Sequence, residues 1–142
     1  MCKPHISHCL GHNEVTKEFL VIDGSGTLRC KELGGFGPAD KFETKWTCLL
    51  PWSCSLASVR AVFSGSRIWL TFTADEHTFV WTFIYTATKS PRVFKDFAEL
   101  PGSVEKLFAV GDSLVVLVRE DSKCMSYSIS ADGLCTNITS QV

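Results

Sequence analysis

The sequence predicts an all-β fold built from antiparallel hairpins. Three observations carry this expectation: apolar residues alternate with polar ones over short runs, Asp- and Gly-rich turns separate the runs, and part of the pattern repeats along the chain.

The first hairpin joins Phe19-Leu20-Val21-Ile22 to Thr27-Leu28-Arg29-Cys30-Lys31-Glu32-Leu33 through Asp23-Gly24-Ser25-Gly26. Asp and Gly tolerate the positive φ angles that tight hairpin turns require. In the second, Ile68, Leu70 and Phe72 share one face while Thr71 and Thr73 take the other. Its return strand places Phe79, Trp81, Phe83 and Tyr85 on one face after the turn Ala74-Asp75-Glu76-His77. The third repeats this plan: Ser113 to Val118, the turn Glu120-Asp121-Ser122-Lys123, then Met125, Tyr127 and Ile129 on one face opposite Ser126, Ser128 and Ser130. A period of two with a polar opposite face predicts half-buried antiparallel strands. Gly34-Gly35-Phe36-Gly37-Pro38 and Ala87 to Val93 read as loops; no helix is expected, with room for at most one short turn at Phe94 to Leu100.

The near-repeat pairs Ser58-Val59-Arg60-Ala61-Val62-Phe63 with Ser103-Val104-Glu105-Lys106-Leu107-Phe108. After a two-residue slip, it pairs Gly65 to Thr71 with Asp112 to Val118. Repeats of about 40–45 residues with up to four strands each predict propeller-like blades, about three of them in this chain, with a β-sandwich as the alternative. Gly11-His12, the apolar strand, the Asp23-Gly24 turn and the strand ending at Leu33 together resemble a degenerate WD40-type repeat. No Trp-Asp closes any copy, and Gly-His occurs once. The resemblance implies a non-enzymatic scaffold that presents loops and blade faces to other proteins. Rings of this kind have at least four blades, so three resolutions stay open. The chain is a truncated form of a larger propeller protein, it completes its ring with another chain, or it is not a propeller. The expected organisation is a polar Cys/His-rich segment at 1–13, a β-rich domain at 14–131 and a polar tail at 132–142.

Composition bounds the function. Of 142 residues, 45% are hydrophobic and 20% charged, with a net charge of -1, so the basic footprint of a nucleic-acid binder is missing. No apolar run reaches the roughly 18 residues of a membrane span. The polar start Met-Cys-Lys-Pro-His-Ile-Ser-His lacks a secretory core. Seven cysteines, an odd number, then read as free thiols in a reducing compartment, cytoplasmic or nuclear. Asn137-Ile138-Thr139 matches a glycosylation sequon but has no consequence there.

Candidate sites are few. Cys2, His5, Cys9 and His12 form C-x2-H-x3-C-x2-H, a thiolate and imidazole set suited to zinc. That cluster sustains an alternative reading as a small zinc-binding regulatory module; a chance Cys/His-rich terminus is the plainer account. Asp23-Gly24-Ser25-Gly26 lacks the Lys of a phosphate loop and the carboxylates of a calcium loop, and reads as a turn. His77, between acidic residues in a hairpin turn, has no nucleophile motif to serve, so no catalytic residue is predicted. Trp46 and Trp52 are the candidate partner-binding residues if exposed, and core residues if buried.

Overall fold

The computed structural model describes residues 8–14, 16–33, 42–85 and 90–139. These form three four-stranded antiparallel sheets, each a simple meander. Sheet 1 comprises β1 (His8–Asn13), β2 (Glu18–Ile22), β3 (Thr27–Leu33) and β4 (Phe42–Leu49). Sheet 2 comprises β5 (Ser55–Ser64), β6 (Arg67–Ala74), β7 (His77–Ile84) and β8 (Arg92–Pro101). Sheet 3 comprises β9 (Ser103–Val110), β10 (Ser113–Glu120), β11 (Lys123–Ile129) and β12 (Cys135–Asn137). The strands therefore reach beyond 14–131 at both ends, through β1 and β12. No α-helix is present among the described residues.

The three predicted hairpins form with the expected inward residues. Ile68, Leu70, Phe72, Trp81 and Phe83 fill one core with Leu20, Ile22, Leu28, Cys30 and Trp46 from sheet 1. Leu114, Val116, Val118 and Ile129 fill a second core with Trp69, Val80, Ala98 and Leu100 of sheet 2. Sheet 2 thus lies between the other two, buried on both faces. That corrects the half-buried expectation, because Thr71, Thr78 and Thr82 are as inaccessible as the leucines opposite them. The first strands lie together, β1 against β5 and β5 against β9. Arg67 ties sheet 2 to sheet 3. Its guanidinium lies 4.8 Å from the Trp69 ring centroid and donates to the Ala131 carbonyl at 3.5 Å.

Turn chemistry sets the register. Gly65 (φ 59°) and Gly111 (φ 60°) open equivalent two-residue turns, and Asp75 (φ 51°) and Glu76 (φ 64°) both take the left-handed region of a type I′ turn. These turns align Gly65-Ser66 with Gly111-Asp112, and so Ile68 with Leu114. The two-residue slip read from sequence placed Ile68 against Val115, one position off. A one-residue error in a strand exchanges its faces. Between sheets 2 and 3, Gly102 (φ 79°) is held so close to the Arg119 carbonyl that a Cβ there would collide with it.

Phe94 to Leu100, the one stretch where the sequence allowed a short turn, is part of β8. Val80 pairs with Ala98 and Thr82 with Phe94, so three residues of β8 oppose Trp81 alone. In this bulge Asp96 (φ 51°) accepts a hydrogen bond from Trp81 Nε1 at 3.1 Å. The bulge breaks the period of two that would have marked a strand.

Candidate partner-binding surface

The two candidate tryptophans separate completely. Trp46 lies opposite Cys30 on the core face of sheet 1, 7% exposed, with its ring stacked on Phe83 at 5.1 Å. Its Nε1 donates to the Tyr85 hydroxyl at 3.1 Å, and Cys30 Sγ lies 3.6 Å from the same oxygen. Burial pushes the Cys30 thiol up to about 11 and raises the Tyr85 phenol well above its ordinary range. Trp46 therefore takes the core alternative of the sequence reading: its ring and its N–H are both used inside the protein.

Trp52 is 97% exposed. The local sequence explains why. Leu50 and Cys54 flank it and are both buried in the first core, at 3% and 8% exposure. Cys54 N–H donates to the Pro51 carbonyl at 3.0 Å, closing a four-residue turn with Trp52 at its second position. Two buried anchors and a closed turn between them direct the intervening side chain outward. Leu49, 65% exposed, and Leu56, 36% exposed, add apolar surface on either side of this turn.

The turn is braced by the first hairpin. Leu50 N–H donates to the Gly26 carbonyl at 3.0 Å, and a Cβ at Gly26 would meet Leu56 at 3.8 Å. The Asp23 carboxylate holds the hairpin turn, accepting from Ser25 N–H at 2.9 Å and Thr27 N–H at 3.2 Å and pairing with Arg29. Burial opposes ionisation of Asp23, but these hydrogen bonds outweigh it and hold the carboxyl well below the usual carboxylate range. The Asp23-Gly24-Ser25-Gly26 segment is thus a hairpin turn whose carboxylate is consumed internally.

Of the proposed metal ligands, Cys2 and His5 lie outside the described residues. Cys9 and His12 are exposed on β1. A bulge at Leu10 sets Cys9 opposite Val21 and His12 opposite Phe19, so both project from the outer face of sheet 1. His12 Nε2 lies 3.5 Å from Glu14. Among the described residues no three His, Cys, Asp or Glu side chains converge on a metal position. His77 starts β7 at the hairpin turn, with Nδ1 3.1 Å from Glu99 at the surface.

A buried charge cluster was missed. Glu18 continues the inward alternation of Leu20 and Ile22, and its side chain is 4% exposed. An extra residue in β4, Lys45, lets its amino group reach Glu18 Oε2 at 2.8 Å and Glu32 at 3.6 Å. The Thr16 hydroxyl donates to Glu18 at 3.0 Å. The detectable signal was a carboxylate at an inward position of an apolar strand. Among the described residues no helix is long and apolar enough to cross a membrane, which says nothing of spans made of strands. No family model, curated protein or solved structure matches this chain.

Proposed function

We propose that the chain is a non-enzymatic protein–protein interaction module made of three propeller-like blades in an open arc. The observation that carries the reading is the repeated stacking: three four-stranded meanders pack face to face in chain order, with first strands β1, β5 and β9 adjacent. That is how blades are arranged around an axis, and a full ring takes four or more. Such a frame supplies rigid turns for recognition. The most prominent is the Trp52 turn, where an aromatic ring stands free between two buried anchors, the kind of residue that dominates binding hot spots.

The test is cross-linking of the full chain in its native cell, comparing wild type with Trp52→Ala. The substitution touches no core contact, so stability stays within about 0.5 kcal/mol. The reading expects at least one protein partner to be lost with Trp52→Ala and kept with a control at exposed Ser90. Identical partner sets for both variants would remove Trp52 from the interface.

A further inference from the structure

We infer that the end of the stack carrying the Trp52 turn docks a basic, partly apolar segment of a partner protein, whose Lys or Arg side chain enters a cleft beside that turn. This deepens the partner-binding reading of Trp52 and rests on it. Chain direction places the cleft. The β2–β3, β6–β7 and β10–β11 turns lie at one end of the stack, and the Trp52 turn joins β4 to β5 there. Between sheets 2 and 3 at this end is a cleft of about 430 Å³. Thr73 and Glu76 line one side, Glu120 and Asp121 the other, with Gly102 between them.

Charge and hydrogen bonding both select a cation. Asp75, Glu76, Glu120 and Asp121 are exposed, and among the described residues none of them makes an ion pair. Arg119 also lines the cleft but is held by Glu105 at 2.6 Å, and Lys123 stands opposite Glu120. Four carboxylates against the Lys123 ammonium leave these turns at −3, in a chain whose net charge is −1. The acidic excess of the protein is therefore gathered here. At the cleft, the Thr73 hydroxyl is buried and has no hydrogen-bond partner among the described residues. A hydroxyl in that state is unfavourable, and its lone pairs suit an ammonium or guanidinium donor that the surrounding carboxylates attract.

The apolar part of the site is within reach. Ser55 pairs with Thr73, and Trp52 lies three residues before Ser55. Three residues span at most about 11 Å and paired strands lie about 5 Å apart, so the two backbones are within roughly 16 Å. An extended segment of about five residues bridges that distance. One end of it lays an apolar side chain on exposed Trp52, Leu49 and Leu56, and the other inserts its cation. The same charge rejects the other occupants of an exposed tryptophan turn. Lipid and nucleic-acid phosphates are repelled, and a second copy of the chain would set one acidic end against another.

Selection from a random peptide library displayed against the immobilised full chain tests this. The expected peptides carry Lys or Arg within about five positions of an aromatic or aliphatic residue. A synthetic peptide of that set should bind about tenfold more weakly to Trp52→Ala, and equally so to Glu76→Gln with Asp121→Asn, and should weaken as salt rises. Glu14→Gln, in the β1–β2 turn at the other end, leaves binding unchanged. Asn is suited to the left-handed conformation of Asp121 (φ 57°). Circular dichroism confirms that each variant folds, and Glu120→Gln replaces Asp121→Asn if that change does not. Enriched peptides that need Trp52 but carry no basic residue, or that bind the neutralised variant as tightly as wild type, overturn the inference and leave the partner-binding reading standing. No enrichment also overturns it, while the cross-linking comparison reads the broader function independently. Basic peptides indifferent to Trp52→Ala use another surface and count against both.

Discussion

Thr71 sits at the centre of β6, fully buried between sheets 2 and 3, and its hydroxyl has no hydrogen-bond partner among the described residues. A buried hydroxyl without a partner costs about 1–3 kcal/mol, because water is lost and nothing replaces it. Thr71→Val keeps the β-branched shape and exchanges that hydroxyl for a methyl group. The equivalent position of sheet 3 is Leu117, so an apolar side chain suits this point of the repeat. The expected gain is about 1–2 kcal/mol. At roughly 3 °C per kcal/mol for a chain of this size, the melting temperature rises by about 3–6 °C. Thr78 supplies the control. It is equally buried, but its hydroxyl donates to the Gly102 carbonyl at 2.8 Å. Thr78→Val therefore loses about 1 kcal/mol, plus the penalty of a carbonyl left short of one donor. Thermal melts followed by circular dichroism read both. Opposite signs support the two-sided burial of sheet 2. If Thr71→Val destabilises as Thr78→Val does, the hydroxyl is satisfied and the reasoning fails.

Three further outcomes follow from the buried polar groups. Lys45→Met leaves the Glu18 carboxylate buried with only the Thr16 hydroxyl, and should cost about 3 kcal/mol in urea unfolding, whereas Glu18→Leu with Lys45→Met recovers most of that loss. Tyr85→Phe removes the acceptor of the Trp46 N–H and should lower stability by about 1–2 kcal/mol, while Trp46→Phe with Tyr85→Phe costs less than the two changes added together. Asp23 has a folded pKa below its unfolded value of about 3.9, so its contribution is complete well above that value and is lost progressively as pH falls from there toward the lower folded pKa. Melting temperatures measured from pH 6 to pH 2 should show the gap between wild type and Asp23→Asn closing below about pH 4.

The hairpins were legible because each carries its own evidence: alternation on both strands and a turn with Asp or Gly at the left-handed positions. What alternation cannot show is how many faces of a sheet are covered. Thr71 read as the solvent side of a half-buried strand, but a third sheet closes over it, as it does over Thr78 and Thr82. Bulges hid the rest. Three residues of β8 oppose Trp81, which erased its period, and the bulge at Leu10 carried β1 into sheet 1 from what read as a loose terminus. The two tryptophans show the same limit at the candidate site. Both lie in one apolar segment, and only the burial of Leu50 and Cys54 on either side of Trp52 decides that one ring turns inward and the other outward.

The distribution of polarity across the stack runs against the usual rule. Sheet 2 buries three threonines on its two-sided interior, while sheet 3 leaves Phe108 and Val110 largely open. Hydroxyls are tolerated inside because β-sheet geometry offers carbonyls to two of them: Thr78 reaches Gly102 and Thr82 reaches Ile68. Phe108 and Val110 are strong strand formers, and single exposed apolar side chains are ordinary on a folded surface.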